Sequence, residues 1–591
     1  MLPRIVSMHH DLRHLRSIAS VLVRRVTAEQ RLPFARAFAA RSIEAYREAL
    51  RSTGCSLDFP TDGVRLDGIA EAEAIRLGRS YTHSDGPTAA YLLSTLYTLL
   101  LPDDLRAKQG VFFTPPSLVN RLLDLSEEAG VDWSTVSVLD PAAGGGAFIT
   151  PVASRMARTL LARGSTSEEV VAHLASHLSG IELDPFSAWM AQLFLEMALR
   201  NVHTDAAPRI PRIIQQGDSL RREFGDRQYD LVVGNPPFGK VTLEPALRTH
   251  FARSLFGHAN LYGVFTDLAI RLCRPGGIIG YVTPASFLGG QYFKNLRALL
   301  AAEAPPIAID FIADRAGVFD QVLQETILIT LGKGRGGGAV SVHTTHTVDR
   351  ALACESVASG RFPLPEDAHS PWLLPRDSED VEFLRGLQAM PNRLRHYGMS
   401  VSTGPLVWNR HKNQLAARLG AGRYPLIWAE SILSSGDFRF SASKREHQPY
   451  FTLDVGQEHL LTLEPAVLVQ RTTAKEQSRR LIAALLPRKF IEEHGGVIVE
   501  NHLNLVYAAR GQASVSLHAI AALLNSGVVD RIFRCSNGSV AVSAFEIESL
   551  PLPPRDAMDA LERLIERSAS RATIEKFLTE VYRSSAAEVA A

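Results

Sequence analysis

Val136-Ser-Val-Leu-Asp-Pro-Ala-Ala-Gly-Gly-Gly-Ala-Phe148 is the stretch whose reading decides the fold. A short β-branched run ends in an acid, three glycines follow, and helix-forming residues resume at Ala147. Glycines at a strand-to-helix turn let a ligand approach the backbone, and in a doubly wound sheet ligands bind where the strand order reverses. No Gly-Lys-Ser/Thr follows, which excludes a phosphate-gripping P-loop. Asp140, closing the strand, suits a ligand that carries an ammonium group.

The same rhythm extends in both directions. Ser179–Leu183 reads as a strand, and Pro185 suits the first turn of the helix after it. In Gly180-Ile-Glu-Leu-Asp184, Asp184 fits a helix N-cap, which leaves Glu182 as the acid best placed for ribose hydroxyls. Arg212–Gln215 and Asp230–Gly234 are further short strands. A helix near Leu261–Cys273 leads through Arg274-Pro-Gly-Gly277 into the strand Ile278–Thr283, and Ile307–Ala313 and Thr326–Leu331 complete the set. Strands alternating with helices predict a parallel α/β sheet over about residues 130–331.

Either side of this block the pattern differs. Residues 1–105 read as helical, with helical spacing in Ala35–Leu50 and Ile69–Gly78. Ala90–Leu101 is apolar but short, and it contains Ser94, Thr95 and Thr98, so it reads as a buried helix. Gly332-Lys-Gly-Arg-Gly-Gly-Gly338 reads as a linker. Beyond it, short strands and loops run to about 555, and an amphipathic helical tail covers 556–591. Residues 391–545 hold 18 Lys plus Arg against 11 Asp plus Glu. One region thus carries a net charge of +7 while the whole chain stands at +1, and a phosphate backbone is a natural partner for it.

Composition excludes several classes. With 591 residues the chain has room for about two to four domains. Its 46 % apolar and 21 % charged residues exclude a disordered, collagen-like or coiled-coil chain. Cys55, Cys273, Cys354 and Cys535 are too scattered for a disulfide framework or a CxxC metal site, so no metal is expected. Free thiols fit a reducing cytosol, and a cytoplasmic location is the expectation. Met1–Val26 is Arg-rich without an apolar core, unlike a signal peptide. No run reaches the roughly 18–20 apolar residues of a membrane span. We find no internal repeat.

Tyr229-Asp-Leu-Val-Val-Gly-Asn-Pro-Pro-Phe238 carries the chemistry. Pro236 and Pro237 stiffen the loop and lack N–H donors, so their carbonyls stay available as acceptors. The Asn235 side-chain oxygen is another acceptor, and Phe238 offers a flat face. Two acceptors and a stacking ring hold a planar NH2 group, which suits methyl transfer to an exocyclic amine. As a turn signal alone, Asn-Pro would mean little; its distance from the two preceding motifs gives it meaning.

The set resembles the Rossmann-like S-adenosylmethionine-dependent methyltransferases, and more closely the gamma-class N6-adenine DNA methyltransferases of type II restriction-modification systems, the family of the TaqI methyltransferase. The resemblance is strong over about 108–331 and weaker over about 395–555. It includes Gly110-Val-Phe-Phe-Thr-Pro-Pro116, Asn260-Leu-Tyr-Gly-Val-Phe265, Gly317-Val-Phe-Asp-Gln321, Leu524-Asn-Ser526 and Leu550-Pro-Leu-Pro553. Residues 1–105 have no counterpart in it. It implies an α/β fold: a Rossmann-like catalytic domain over 106–335, a helical N-terminal extension, and an α+β target-recognition domain over 345–555. It implies that S-adenosylmethionine is held by Thr114, Asp140 and Ala142 at its methionine part, by Glu182 at the ribose, and by Asp218 and Phe265 at the adenine, with Gly144 among the cofactor-binding residues. Asn235 and the Pro236 carbonyl would bind the target amine. Phe238 and Phe319 would sandwich a base flipped from duplex DNA. The family often has Tyr at position 238; Phe leaves stacking intact.

Base or phosphate contacts are expected from Arg471, Lys475, Asn501, Asn504, Arg531 and Arg534. A separate cognate restriction endonuclease or defence-system partner is a further expectation, and no membrane partner is expected. The rival readings are N4-cytosine methylation, methylation of RNA or of protein glutamine, and a methyltransferase fused to a nuclease. Cytosine-C5 chemistry needs a nucleophilic cysteine, typically after proline, and no cysteine here follows one. A PD…(D/E)xK nuclease site cannot lie in residues 1–107, where no lysine occurs.

Overall fold

The computed structural model describes residues 8–50, 64–103, 105–106, 114–200, 202, 210–313, 325–348, 353–388, 390, 392–472, 479–509, 513–536 and 541–590. Two compact units divide the chain: Met1–Pro284 with Asn295–Ala358, and Ala285–Lys294 with Ser359–Ala591.

The first unit opens with helices α1 (Met8–Val23), α2 (Ala28–Ala49), α3 (Gly68–Ser80) and α4 (Gly86–Leu100). Asp85 starts α4 by accepting from the Thr88 amide at 2.8 Å, and Pro87 occupies the first turn. Leu92, Leu93, Leu96, Tyr97 and Leu100 are fully buried, so the apolar stretch is a core helix. Among the described residues no helix is long and apolar enough to cross a membrane. These helices do not stand apart. Leu15, Phe38 and Leu96 share one apolar core with Leu122, Ile149 and Leu231 of the α/β layer.

That layer runs α5 (Pro116–Glu128), β1 (Val138–Asp140), α6 (Ile149–Ala162), α7 (Ser167–His177), β2 (Leu178–Glu182), α8 (Pro185–Ala198), β3 (Ile214–Gln216) and β4 (Tyr229–Gly234). A small hairpin, β5 (Lys240–Val241) and β6 (Ala259–Asn260), brackets the six-residue α9 (Pro245–His250). Then follow α10 (Leu261–Leu272), β7 (Cys273–Pro284), α11 (Lys294–Glu303), β8 (Pro306–Ile312), β9 (Thr326–Gly332), β10 (Val340–Val348) and β11 (Ala353–Phe362). The sheet order is β11-β10-β8-β9-β7-β4-β1-β2-β3. Pairing is parallel from β3 to β7, while β9 is antiparallel to both β7 and β8. From β1 the chain moves outward through β2 and β3, then returns to the other side of β1 as β4. The order reverses there, so the ends of β1 and β4 open the crevice in which such sheets bind ligands.

The expected strands all form, with ends shifted by a few residues, but two boundaries are corrected. Gly332–Gly338 is not a linker between domains. β10 lies parallel to β8 through five paired positions, from Ser341↔Ala308 to Thr345↔Ile312, so the glycine run is a loop within one sheet. A recognition region starting at 345 would divide β10; the division between units falls later, at 358/359, within β11.

The second unit holds α12 (Ser378–Gln388) and two small sheets. One is β12 (Met399–Thr403), β20 (Leu503–Ala508), β17 (Ala466–Gln470) and β18 (Ala483–Leu486), antiparallel throughout. The other runs in the order β13 (Leu415–Ala416), β15 (Tyr450–Thr452), β14 (Arg423–Ile427), β19 (Val497–Val499) and β16 (Leu461–Thr462). Separate apolar clusters support them, one around Leu468, Ala484 and Leu505 and one around Leu426, Trp428 and Phe451. Helices α13 (Arg488–His494), α14 (Leu517–Leu524), α15 (Gly527–Ser536), α16 (Ala544–Glu548), α17 (Arg555–Glu566) and α18 (Arg571–Ala590) complete it.

Candidate active site

The ends of β1, β2 and β4 surround a cleft of about 610 Å³, well within the range of small-molecule sites. Of the residues expected to hold a cofactor, Thr114, Ala142, Gly144, Glu182, Asp218 and Phe265 line it, and so do Asn235 and Pro237. Asp140 sits beneath the lining, 1 % exposed.

The glycine-rich turn is tied to the end of β2. Gly144 takes φ +53°, and its amide donates to Glu182 Oε2 at 2.8 Å; the Asp184 amide donates to Oε1 at 2.8 Å. Gly146, at φ +85°, lies so close to α8 that a Cβ there would stand 3.0 Å from Ala191 Cα. Burial pushes the Glu182 carboxyl up to about 7 against the pull of those amides. Burial likewise pushes Asp140 up to about 8, although its Oδ1 accepts from the Ala142 amide at 3.0 Å. Asp140 Oδ2 is buried with no hydrogen-bond partner among the described residues. Glu182 lines the cleft, whereas Asp140 lies buried behind it.

Asn235, at the end of β4, donates from Nδ2 to Thr114 Oγ1 at 3.0 Å. That bond fixes the amide plane, with the nitrogen on Thr114 and the carbonyl oxygen turned the other way. A Cβ on Gly234 would lie 2.7 Å from Asp140 Oδ1, so a side chain there would have to displace the Asp140 carboxyl. Downstream, the Gly239 amide donates to Asn260 Oδ1 at 3.3 Å and the Leu261 amide to the Gly239 carbonyl at 2.9 Å. The Asn-Pro-Pro-Phe loop is therefore clamped at both ends. Pro236 is buried and Phe238 half-exposed, with its ring edge-on to Tyr262 at 6.2 Å. Phe319 and Lys475 lie outside the described residues.

Sequence reasoning missed part of the cleft. Leu183 is 59 % exposed and lines it, an apolar side chain held toward solvent between two acids. That placement was visible in Gly180-Ile-Glu-Leu-Asp184 but was not used. Leu243, Glu244 and Leu247 also line it, and Arg221 bridges Asp218 and Glu244 at the rim, at 3.3 and 2.6 Å. Nothing in their local sequence marks them. Cys273 and Cys535 are both buried; burial pushes the Cys273 thiol up to about 12 and that of Cys535 higher still. Neither can supply a thiolate nucleophile.

Of the expected DNA contacts in the second unit, one is corrected. Asn504 is fully buried and spends its amide on the Val542 carbonyl at 2.8 Å and on Thr403. Arg531 is held by Asp380, Asp377 and Glu379, and Arg534 by Asp530 at 2.7 Å. Both arginine side chains are 39 % exposed, so these acids would compete with a phosphate for them. Arg471 bonds the Asn501 carbonyl at 3.2 Å, and both residues are half-exposed. Elsewhere, Arg410, Lys412, Lys444 and Arg445 are exposed and in no ion pair among the described residues. They flank a cluster in which His447 stacks on Trp428 at 3.7 Å, Trp408 meets both rings, and Lys412 lies over Trp408. Asn525 has a packing role: its side chain exchanges two hydrogen bonds with the Ala483 backbone.

The family Eco57I restriction-modification methylase matches residues 176–319. The chain is 25 % identical to the type II methyltransferase M.BsuBI of Bacillus subtilis over 476 residues, covering 78 % of this chain and 90 % of that one. It is 26 % identical to the type II methyltransferase M.PstI of Providencia stuartii, covering 57 % and 68 % respectively. The solved structure of the type IIL restriction-modification enzyme MmeI in complex with DNA superposes with a TM-score of 0.52 at 12 % identity, over 97 % of this chain and 96 % of that one. That likeness bears on the fold alone.

Proposed function

We propose that this chain, a type II restriction-modification methyltransferase of the Eco57I kind related to M.BsuBI and M.PstI, transfers a methyl group from S-adenosylmethionine to N6 of adenine in duplex DNA. One observation carries the reading: Asn235, oriented by Thr114 and followed by two prolines, opens onto the same 610 Å³ cleft as Glu182 and Asp218.

The cleft fits the cofactor in size and chemistry. Glu182 offers a carboxyl to ribose hydroxyls and Asp218 an acceptor to the adenine amine, while Asp140, behind the lining, holds the Ala142 amide of the glycine-rich turn. Bound there, S-adenosylmethionine supplies an electrophilic methyl group. The rest of the chemistry belongs to the chain. An adenine amine is a poor nucleophile because its lone pair is delocalised into the ring. Acceptance of its two N–H groups by Asn235 Oδ1 and the Pro236 carbonyl favours a pyramidal nitrogen and stabilises the positive charge that develops there. In-line positioning lets the N–CH3 bond form as the S–CH3 bond breaks, with S-adenosylhomocysteine as the leaving group and the surplus amine proton passing to water. The base reaches the loop only when flipped from the duplex, at a cost of a few kcal/mol. Stacking on Phe238 offsets roughly 1–3 kcal/mol of this.

Asn235→Ala should lower kcat by about 100-fold or more while leaving the affinity for S-adenosylhomocysteine within a few-fold of wild type. Methylation within a few-fold of wild type would remove Asn235 from the mechanism. Long-read sequencing of DNA from a methylation-free host expressing the gene should report N6-methyladenine at one short motif. N4-methylcytosine, or no modified base in DNA, would overturn the reading.

A further inference from the structure

The helices ahead of the α/β layer have no role in the reading above, yet two of them converge on the cofactor cleft. Arg36 on α2 donates to Asp184 Oδ1 at 3.0 Å, and Tyr97 on α4 donates its hydroxyl to Asp184 Oδ2 at 3.1 Å. Both hydrogen bonds are shielded: the side chains of Arg36 and Asp184 are 17 % and 8 % exposed, and Tyr97 is fully buried. The Tyr97 ring also packs against Phe186 of α8, with centroids 4.5 Å apart.

Asp184 needs neither partner to cap α8. It already accepts from the Ser187 amide and hydroxyl, each at 2.9 Å, which satisfies an N-cap. Its own amide, however, donates to Glu182 Oε1. Between the two acids Leu183 is held out into the cleft at 59 % exposure, a conformation the hydrophobic effect opposes. The turn is thus anchored on both flanks. Gly144 holds Glu182 on one side, and Arg36 and Tyr97 hold Asp184 on the other. The same α4 walls a smaller adjoining cavity through Ala90, Tyr91 and Ser94, opposite Gly145, Gly146 and Thr114.

We infer that the N-terminal helical layer is part of the cofactor site, with Arg36 and Tyr97 acting as positioning residues that hold the Glu182–Leu183–Asp184 turn in the shape that presents Glu182 to the ligand. The inference rests on the reading of the cleft as the S-adenosylmethionine site. It makes the layer a determinant of cofactor affinity, separate from DNA recognition and from the transfer step.

The test uses the full chain and four variants: Arg36→Met, Arg36→Lys, Tyr97→Phe, and Arg41→Met as a control. Among the described residues Arg41 pairs only with Glu44, Glu48 and Glu71, all within the helical layer. Calorimetric titration with S-adenosylhomocysteine is paired with steady-state kinetics on unmethylated plasmid DNA. Arg36→Met and Tyr97→Phe should raise Kd for S-adenosylhomocysteine and KM for S-adenosylmethionine by about tenfold, as expected when a bond to a charged group is removed. Their kcat at saturating cofactor should stay within twofold of wild type. Arg36→Lys should recover part of the loss, and Arg41→Met should match wild type. A merely structural role would lower thermal stability and active fraction without moving KM. Folded variants with Kd and KM within twofold of wild type would overturn the inference. If Arg36→Met does not fold, Tyr97→Phe decides, since it removes one hydroxyl only. Failure of wild type itself to bind S-adenosylhomocysteine would instead overturn the reading of the cleft.

Discussion

Glu182 is the residue whose chemistry depends most on its surroundings. Burial raises its carboxyl to about 7, so the ligand-free protein holds it largely protonated in mild acid. Hydroxyl donors favour the ionised form. Cofactor binding should therefore release a proton, and affinity should climb as pH rises from 6 to 8. Titrations with S-adenosylhomocysteine in two buffers of different ionisation enthalpy measure that release directly; a pH-independent affinity with no proton released would count against it. The folding contribution has the opposite sign. A raised carboxyl stabilises the empty fold below the ordinary carboxylate range, and this is lost as pH rises through about 7. Gly234 offers a steric test. A Cβ there would stand 2.7 Å from Asp140 Oδ1, so Gly234→Ala should destabilise the fold by about 1–3 kcal/mol and reduce activity. A variant that melts and methylates like wild type would show that Asp140 can move aside freely. Such single-residue roles were only partly legible in the sequence. Glu182 and Asn235 could be picked out because they end strands at fixed distances from the glycine run. The bond from Asn235 to Thr114 joins residues 121 positions apart, and no local pattern encodes it.

At the scale of elements, the alternation of apolar strands and helices between Val136 and Leu331 announced the sheet, because parallel strands buried on both faces read as apolar runs and the crossover helices as amphipathic ones. The glycine run after β9 misled for the opposite reason. Its composition matches a flexible linker, while the pairing of β10 with β8 depends on residues some 33 positions upstream. Charge counting had the same limit. It located the basic region correctly by sum, but could not tell that Arg531 and Arg534 are neutralised by Asp380 and Asp530. The loops carrying Arg410, Lys412, Lys444 and Arg445 are the better candidates for phosphate. Replacing Arg410 and Lys412, or Lys444 and Arg445, by Ala should weaken binding to all DNA and flatten the salt dependence by about one unit for each phosphate no longer neutralised. Arg531→Ala should instead lower the melting temperature and leave the salt slope alone. Equal slopes in wild type and both loop variants would remove these loops from the interface.

For the whole molecule, the separate cores of the two units predict more than one cooperative transition on heating. Ligand raises the stability only of what it binds, by about 2.7 kcal/mol at a hundred times Kd. Scanning calorimetry with S-adenosylhomocysteine should move one transition upward and leave the other in place; a single transition that shifts as a whole would mean the units unfold together. The boundary between units was the least legible feature of all, because the chain crosses it more than once. Ala285–Lys294 belongs to the second unit although it follows directly on β7. There the Leu288 carbonyl accepts from the Trp372 amide at 2.8 Å, Phe287 meets the Trp372 ring at 5.7 Å, and a Cβ on Gly289 would stand 2.6 Å from the Ser536 carbonyl. The second unit is therefore not a cassette that can be swapped at a single junction. A chimaera joined only at residue 359 would bring in a new Trp372 and leave it facing a foreign decapeptide. Exchange between relatives, in the laboratory or in evolution, has to carry both segments at once, and recombination breakpoints should be sought on either side of 285–294 as well as near 359.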